Sequence, residues 1–140
     1  MNRVLYEDRL VPHMVVDALG KHDERPCLYL GGEAASYRDV RLKVSQYSQA
    51  LREKKVTVGT RVALLSSNCP EVILFTLAAH VVGCCITPLH PMGSFDDHAY
   101  VLNDAEIEVL VYQPSKYDQR VGELSRVTSG IRHFLAFGPS

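Results

Sequence analysis

Few residues of this 140-residue chain have the types and spacing that chemistry requires. His90 sits between Pro88 and Pro91, where an imidazole could act as a general acid or base, yet the sequence shows it no partner. Asn68 follows an apolar run. It could reach a ligand from the carboxyl end of a strand, or simply cap the helix that comes next. Thr128-Ser129-Gly130 echoes a phosphate loop, but Ile131-Arg132-His133 follows where more glycine and a lysine are needed. A helix-end turn is the expectation there. Gly31-Gly32 lacks the following helix of a phosphate cradle and reads as a tight turn. Cys27, Cys69, Cys84 and Cys85 contain no C-x-x-C pair, and the six histidines are scattered. A zinc site needs clustered ligands, so buried free thiols are expected instead.

The elements that must position these residues alternate in type. Pro12 to Leu19 reads as a short helix stopped by Gly20. Cys27–Leu30 and Glu33–Ser36 form a hairpin about Gly31-Gly32. Ser36 opens a long helix in which Tyr37, Val40, Val44, Tyr47 and Leu51 make one buried stripe, with Asp39 completing a box-like start. Arg61–Ser66 is a strand apolar enough to be covered on both faces. Asn68, Pro70 and Glu71 start a helix that runs to about Val82 and ends at Gly83. Cys84–Thr87 reads as a short buried strand, stopped by Pro88 and Pro91. Ser94 and Asp97 start the next helix, Glu108–Tyr112 is a strand, Asp118–Thr128 a helix, and His133–Phe137 a final strand. Strands separated by single helices predict an α/β fold: a mainly parallel sheet with crossover helices, preceded by a small hairpin, in one domain over residues 1–140.

Composition excludes some classes of function. The net charge of -1, with no long stretch of one sign, argues against a nucleic-acid partner, which needs a basic face. No apolar run approaches the ~20 residues of a membrane span, and the run Val72–Val82 is interrupted by Thr76 and His80. The amino terminus, Met1 to Leu10, is charged and lacks the apolar core of a secretion signal, so a cytoplasmic location is expected.

Five segments, in order and spacing, resemble adenylate-forming acyl-CoA synthetases. Ala35-Ser36-Tyr37-Arg38-Asp39-Val40 is similar to their T-Y-x-E-L helix opening, and Val58-Gly59-Thr60-Arg61-Val62-Ala63 to their V-x-x-G-D-x-V-A step. Asn68-x-Pro70-Glu71 matches N-x-P-E; Gly83, Pro88, Leu89 and Pro91 fall on G-x-x-x-x-P-L-x-P; Leu102-x-Asp104 resembles L-x-D. Thr60 stands for the usual aspartate and Ser36 for threonine, both tolerable in a turn or cap. The stretch from Thr87 to Pro91, with Ser94 and Asp97-His98-Ala99-Tyr100, looks most like fatty-acid–CoA ligases.

The resemblance implies the amino-terminal part of a large adenylation domain. Such enzymes join a fatty acid or other carboxylate to ATP, with Mg2+, and pass the acyl group from AMP to coenzyme A. Their phosphate loop, magnesium glutamate, ribose aspartate and mobile catalytic lysine lie beyond the matched region. No catalytic, cofactor-binding or metal-binding residue is therefore assigned within these 140 residues, and the polypeptide alone is expected to be inactive and to bind no cofactor. Losing a single preorganised donor already costs roughly 10²–10³-fold in rate. Tyr37, Tyr47 and Phe75 could border an acyl channel, although their spacing is that of core residues. The expected partner is the remainder of the adenylation domain. Self-association is expected through apolar surface around Phe134, Leu135 and Phe137. Two other readings are a free-standing α/β interaction module and a flavodoxin-like or receiver domain. The latter needs acidic residues where Ser66-Ser67 and Thr87-Pro88 stand.

Overall fold

The computed structural model describes residues 10–30 and 32–138. The charged amino terminus as far as Arg9, Gly31 and the last two residues lie outside the described residues. Among the described residues eleven elements follow one another: α1 (Val11–Lys21), β1 (Pro26–Leu30), β2 (Glu33–Ser36), α2 (Tyr37–Glu53), β3 (Arg61–Leu65), α3 (Pro70–Val82), β4 (Cys85–Pro88), α4 (Phe95–Asp104), β5 (Val109–Tyr112), α5 (Asp118–Leu124) and β6 (His133–Ala136). β1 and β2 form an antiparallel hairpin, and Gly32 takes the positive φ of +93° that its turn requires. The other four strands form a parallel sheet in the order β4-β3-β5-β6.

Strand alternation distributes the core between two faces. Val62 and Leu64 of β3, with Val109 and Val111 of β5, turn toward α2 and α3 and meet Leu51, Phe75, Ala79 and Val82. Ala63, Leu65 and Leu110 turn the other way, onto Leu102 of α4 and Val121 and Leu124 of α5. The period of two along a strand makes this division automatic. A third cluster joins α1 and the hairpin to the outer side of α2 and α3 through Leu19, Val40, Val44 and Ala78. Helix α3 is therefore covered on two sides, which is why its sequence is apolar nearly all round.

Two helices start on complete capping boxes. The Ser36 hydroxyl accepts from the Asp39 N–H while the Asp39 carboxylate accepts from the Ser36 N–H, and Ser94 and Asp97 repeat the arrangement. Ser36→Ala and Ser94→Ala should each cost about 1 kcal/mol, the ordinary loss for a serine cap. The hydrogen bonds from Ser36 and Ser94 hold the Asp39 and Asp97 carboxyls below the usual aspartate range. A folded value below the unfolded one means that this stabilisation is complete above the ordinary aspartate value, ~3.9, and is lost as pH falls through the lowered value. Urea unfolding of wild type and both variants should show a gap at pH 7 that narrows in acid; a gap independent of pH would contradict the ionic half of the box.

Several sequence expectations are corrected. Gly20 lies inside α1, which continues to Lys21 and is capped by His22. Helix α5 stops at Leu124 rather than Thr128, whose hydroxyl turns back to donate to the Leu124 carbonyl. The strand read as Cys84–Thr87 is Cys85–Pro88, and it is a half-exposed edge rather than a buried strand. An edge position tolerates Pro88, because its missing N–H faces no partner. The four thiols are free, but none is fully buried and Cys85 is exposed on that edge.

Candidate functional site

The winding of the sheet singles out one place. From β3 the chain crosses to β4 on one side, whereas from β5 it crosses to β6 on the other. Neighbouring β3 and β5 thus diverge at their carboxyl ends, and crevices of this kind hold the ligands of open α/β sheets. The register sets Leu65 beside Tyr112, so the next residues, Ser66 and Gln113, meet at the rim. Both the Ser67 hydroxyl, at 2.6 Å, and the Ser67 N–H, at 3.2 Å, donate to the Gln113 side-chain carbonyl. The Ser66 hydroxyl lies 3.4 Å from the same oxygen and 3.4 Å from the Cys69 sulfur. These donors fix the amide of Gln113 in one orientation.

Beside the crevice, the loop between β4 and α4, residues 89–94, is tied down from below. The Leu89 N–H donates to the Leu64 carbonyl, extending the ladder past the strand. The Tyr117 hydroxyl donates to the Pro91 carbonyl at 3.0 Å, and Arg120 donates to the Gly93 carbonyl at 3.1 Å. His98, only 2% exposed, contacts Arg120 through Nδ1 at 3.1 Å and the His90 carbonyl through Nε2 at 2.8 Å. A guanidinium only donates, so Nδ1 accepts; Nε2 therefore carries the proton and donates to the carbonyl. Gly93 closes over this ring so tightly that an added Cβ would lie 2.6 Å from Nε2 of His98.

The residues singled out in the sequence are dispersed. Asn68 neither caps α3 nor joins the crevice hydrogen bonds: the cap is Cys69, in extended conformation, whose side chain makes no bond to the helix N–H groups. Pro70 at the first helical position pushes its predecessor into that conformation, which moves the cap one residue along. His90 stands exposed on the tied loop, its Nδ1 accepting from the Met92 N–H at 3.2 Å. Thr128, Ser129 and Gly130 line a polar hollow of about 320 Å³ with Arg61 and Glu106. That hollow lies at the amino ends of the strands, opposite the crevice. Tyr47 and Phe75, but not Tyr37, line an apolar cleft of about 430 Å³ with Leu51, Val111, Leu135 and Phe137. Tyr37 instead packs edge-on against His22.

Of three residues near the rim, His98 enters the sequence reading only within the Asp97-His98-Ala99-Tyr100 stretch, and Gln113 and Arg120 do not enter it. Gln113 is legible only as the residue following a strand, and His98 and Arg120 meet through a packing of α4 on α5 that local spacing does not reveal. Cys84 is no nucleophile: burial, with Cys85 beside it, pushes its thiol up to about 11, so it stays protonated near neutrality.

The groups at the carboxyl rim do not fit a triphosphate or its magnesium ion. The Ser67 hydroxyl is spent on Gln113, the Ser66 hydroxyl on the Ser67 carbonyl at 2.8 Å, and the Arg120 guanidinium is bonded to a loop carbonyl. Among the described residues no group of three or more His, Cys, Asp or Glu side chains converges. No helix among them is long and apolar enough to cross a membrane.

Comparison with known proteins agrees with this architecture. The AMP-binding enzyme family profile matches residues 16–134. The medium/long-chain-fatty-acid–CoA ligase FadD8 of Mycobacterium tuberculosis is 38% identical over 128 residues, covering 91% of this chain and 22% of that protein. Bacitracin synthase 1 of Bacillus licheniformis is 26% identical over 98 residues, 70% of this chain and 2% of the synthase. Among solved structures, the amide bond synthetase McbA of Marinactinospora thermotolerans superposes with a TM-score of 0.78 at 25% identity, over 94% of this chain and 26% of McbA. A Mycobacterium tuberculosis fatty acyl CoA synthetase superposes with a TM-score of 0.81 at 14% identity, over 91% of this chain and 26% of the synthetase. The chain thus spans about a fifth of its curated FadD8 relative and about a quarter of these two structures. With a family profile over most of its length and the same sheet at its centre, the chain belongs to the AMP-binding enzymes.

Proposed function

We propose that these 140 residues are the opening part of the adenylation domain of a fatty-acid–CoA ligase, a scaffold that other residues of such an enzyme complete. The reaction is attack of a fatty carboxylate on the α-phosphorus of ATP, giving acyl-AMP and pyrophosphate. The coenzyme A thiol then takes the acyl group and releases AMP. ATP, Mg2+ and coenzyme A are the reactants and cofactors of the whole enzyme, and a cytoplasmic location supplies all three. The single observation that carries this reading is the similarity to FadD8, 38% over 91% of the chain, in a family named for binding AMP.

The apolar cleft supports the remainder of the domain as the partner. Among the described residues strand β6 is paired on one side only, and beside it Tyr47, Leu51, Phe75, Val111, Leu135 and Phe137 leave a gap that α2 and α3 do not fill. Apolar surface of this kind associates when left uncovered. The test replaces the matched 128-residue segment of FadD8 by this chain. The chimera should retain carboxylate-dependent exchange of pyrophosphate into ATP within about tenfold of the parent and sediment as the parent does. The 140-residue polypeptide by itself should show no exchange and should self-associate as its concentration rises. A well-folded chimera without exchange would favour the interaction-module reading, and exchange by the isolated polypeptide would overturn the scaffold reading.

A further inference from the structure

We propose that His90 is an oxyanion-binding residue at the carboxyl rim of the sheet, and that His98 and Arg120 are its positioning residues. An exposed side chain on a loop ordinarily samples several rotamers. His90 is instead constrained through both its backbone and its ring. Its carbonyl receives the Nε2 proton of buried His98, at 2.8 Å. Its own Nδ1 receives the Met92 N–H, at 3.2 Å. Because a backbone N–H only donates, the neutral ring carries its proton on Nε2, leaving that N–H as the donor available for an incoming group.

The surroundings favour a negative partner. Arg120 bridges the Gly93 carbonyl and His98, which places a permanent positive charge beneath the loop. Two carboxylates stand at the foot of the loop in the first turn of α4: Asp97 is turned away onto the N–H and hydroxyl of Ser94, and exposed Asp96 faces solvent beside it. The loop lies at the carboxyl ends of the strands, beside the point where β3 and β5 diverge, the edge at which parallel sheets bind ligands. The clamp is also more elaborate than stability demands, since an apolar side chain at position 98 would fill the same core without an arginine to satisfy. Buried polar networks of this kind hold one geometry rather than add net stability. The ligand class is an oxyanion, either a phosphate or a carboxylate, that accepts from Nε2. The proposal concerns this chain's own loop and stands whether or not the ligase reading survives.

Imidazole nitrogen spectra of the 15N-histidine-labelled 140-residue protein provide the test, with His90→Asn assigning the signal. The expected result is a single Nε2–H tautomer for His90, with its Nε2 resonance shifting saturably on addition of inorganic phosphate, of acetate, or of both, and not with chloride at equal ionic strength. Saturation by phosphate alone or acetate alone supports the proposal and identifies the source of the oxyanion. His98→Gln, which can still donate to the His90 carbonyl but cannot also accept from Arg120 in the same geometry, should weaken that binding about tenfold, or ~1.4 kcal/mol. Met92→Pro, at an 87% exposed position, removes the N–H that holds Nδ1 and also strains the turn closed by the Gly93 N–H on the His90 carbonyl, so it should mix the tautomers and weaken binding at least as much. No saturable shift with either anion would overturn the site. Unchanged affinity in Met92→Pro and His98→Gln would overturn the positioning role.

Discussion

Phe75→Ala is expected to lower the stability of this domain by about 3–5 kcal/mol, the range for deleting a buried aromatic ring. The ring is 1% exposed and sits where α3 faces the sheet, among Leu51, Val62, Leu64 and Val111. It also meets Phe137 edge-on, with centroids 6.1 Å apart, a geometry that favours the positive edge of one ring on the face of the other. Removing it empties the wall shared by the core and the apolar cleft, so the neighbours have little from which to collapse inward. Against a typical total of about 5–15 kcal/mol, this is a large share. Chemical denaturation should show a lower midpoint with an unchanged slope. A loss under about 1 kcal/mol, the ordinary effect of an average substitution, would mean that the α2–α3 layer does not pack on the sheet in this way.

Leu110→Ala tests the opposite face and should cost about 2–5 kcal/mol. Leu110 is 0% exposed at the middle of β5, a strand flanked by β3 and β6, and packs with Leu65, Leu102 and Leu124. The α4–α5 layer covers only this face, so the mutation probes a different cluster from Phe75. The two losses should add within about 0.5 kcal/mol if the sheet separates them, because substitutions without shared partners are usually independent. Strong coupling in the double variant would show that the two faces do not form separate clusters. Tyr100→Ala on α4, at an exposed position, is the matched control and should stay within about 0.5 kcal/mol of wild type.

Much of the fold is legible in the sequence because its signals are local. The stripe on α2, the two serine–aspartate boxes, the stop at Gly83 and the doubly covered β3 each depend on residues within one element. Gly83 takes φ +88° and donates to the carbonyls of Ala79 and His80, as a left-handed helix end does. The errors fall where a local rule competes with a distant contact. Gly20 looks like a stop, but α1 packs on α2 and α3 and continues past it. Asn68 looks like a cap, but the constraint imposed by Pro70 gives the position to Cys69. Cys84–Thr87 looks buried because its residues are apolar, yet the strand is an edge, which no apolar run can announce.

The amino-acid order by itself determined the alternation of strands and helices, the caps that start and stop them and the resemblance to adenylate-forming enzymes, because periodicity, capping and motif spacing all act over a few residues. Only the tertiary structure decided the strand order, and with it the crevice between β3 and β5, the fixing of Gln113 by Ser67 and the clamp of His98 and Arg120 on the loop that carries His90. Those pairings join residues 8 to 46 positions apart. They exist because backbone pairing and the burial of two sheet faces bring the segments together, and neither constraint is written into any one of them.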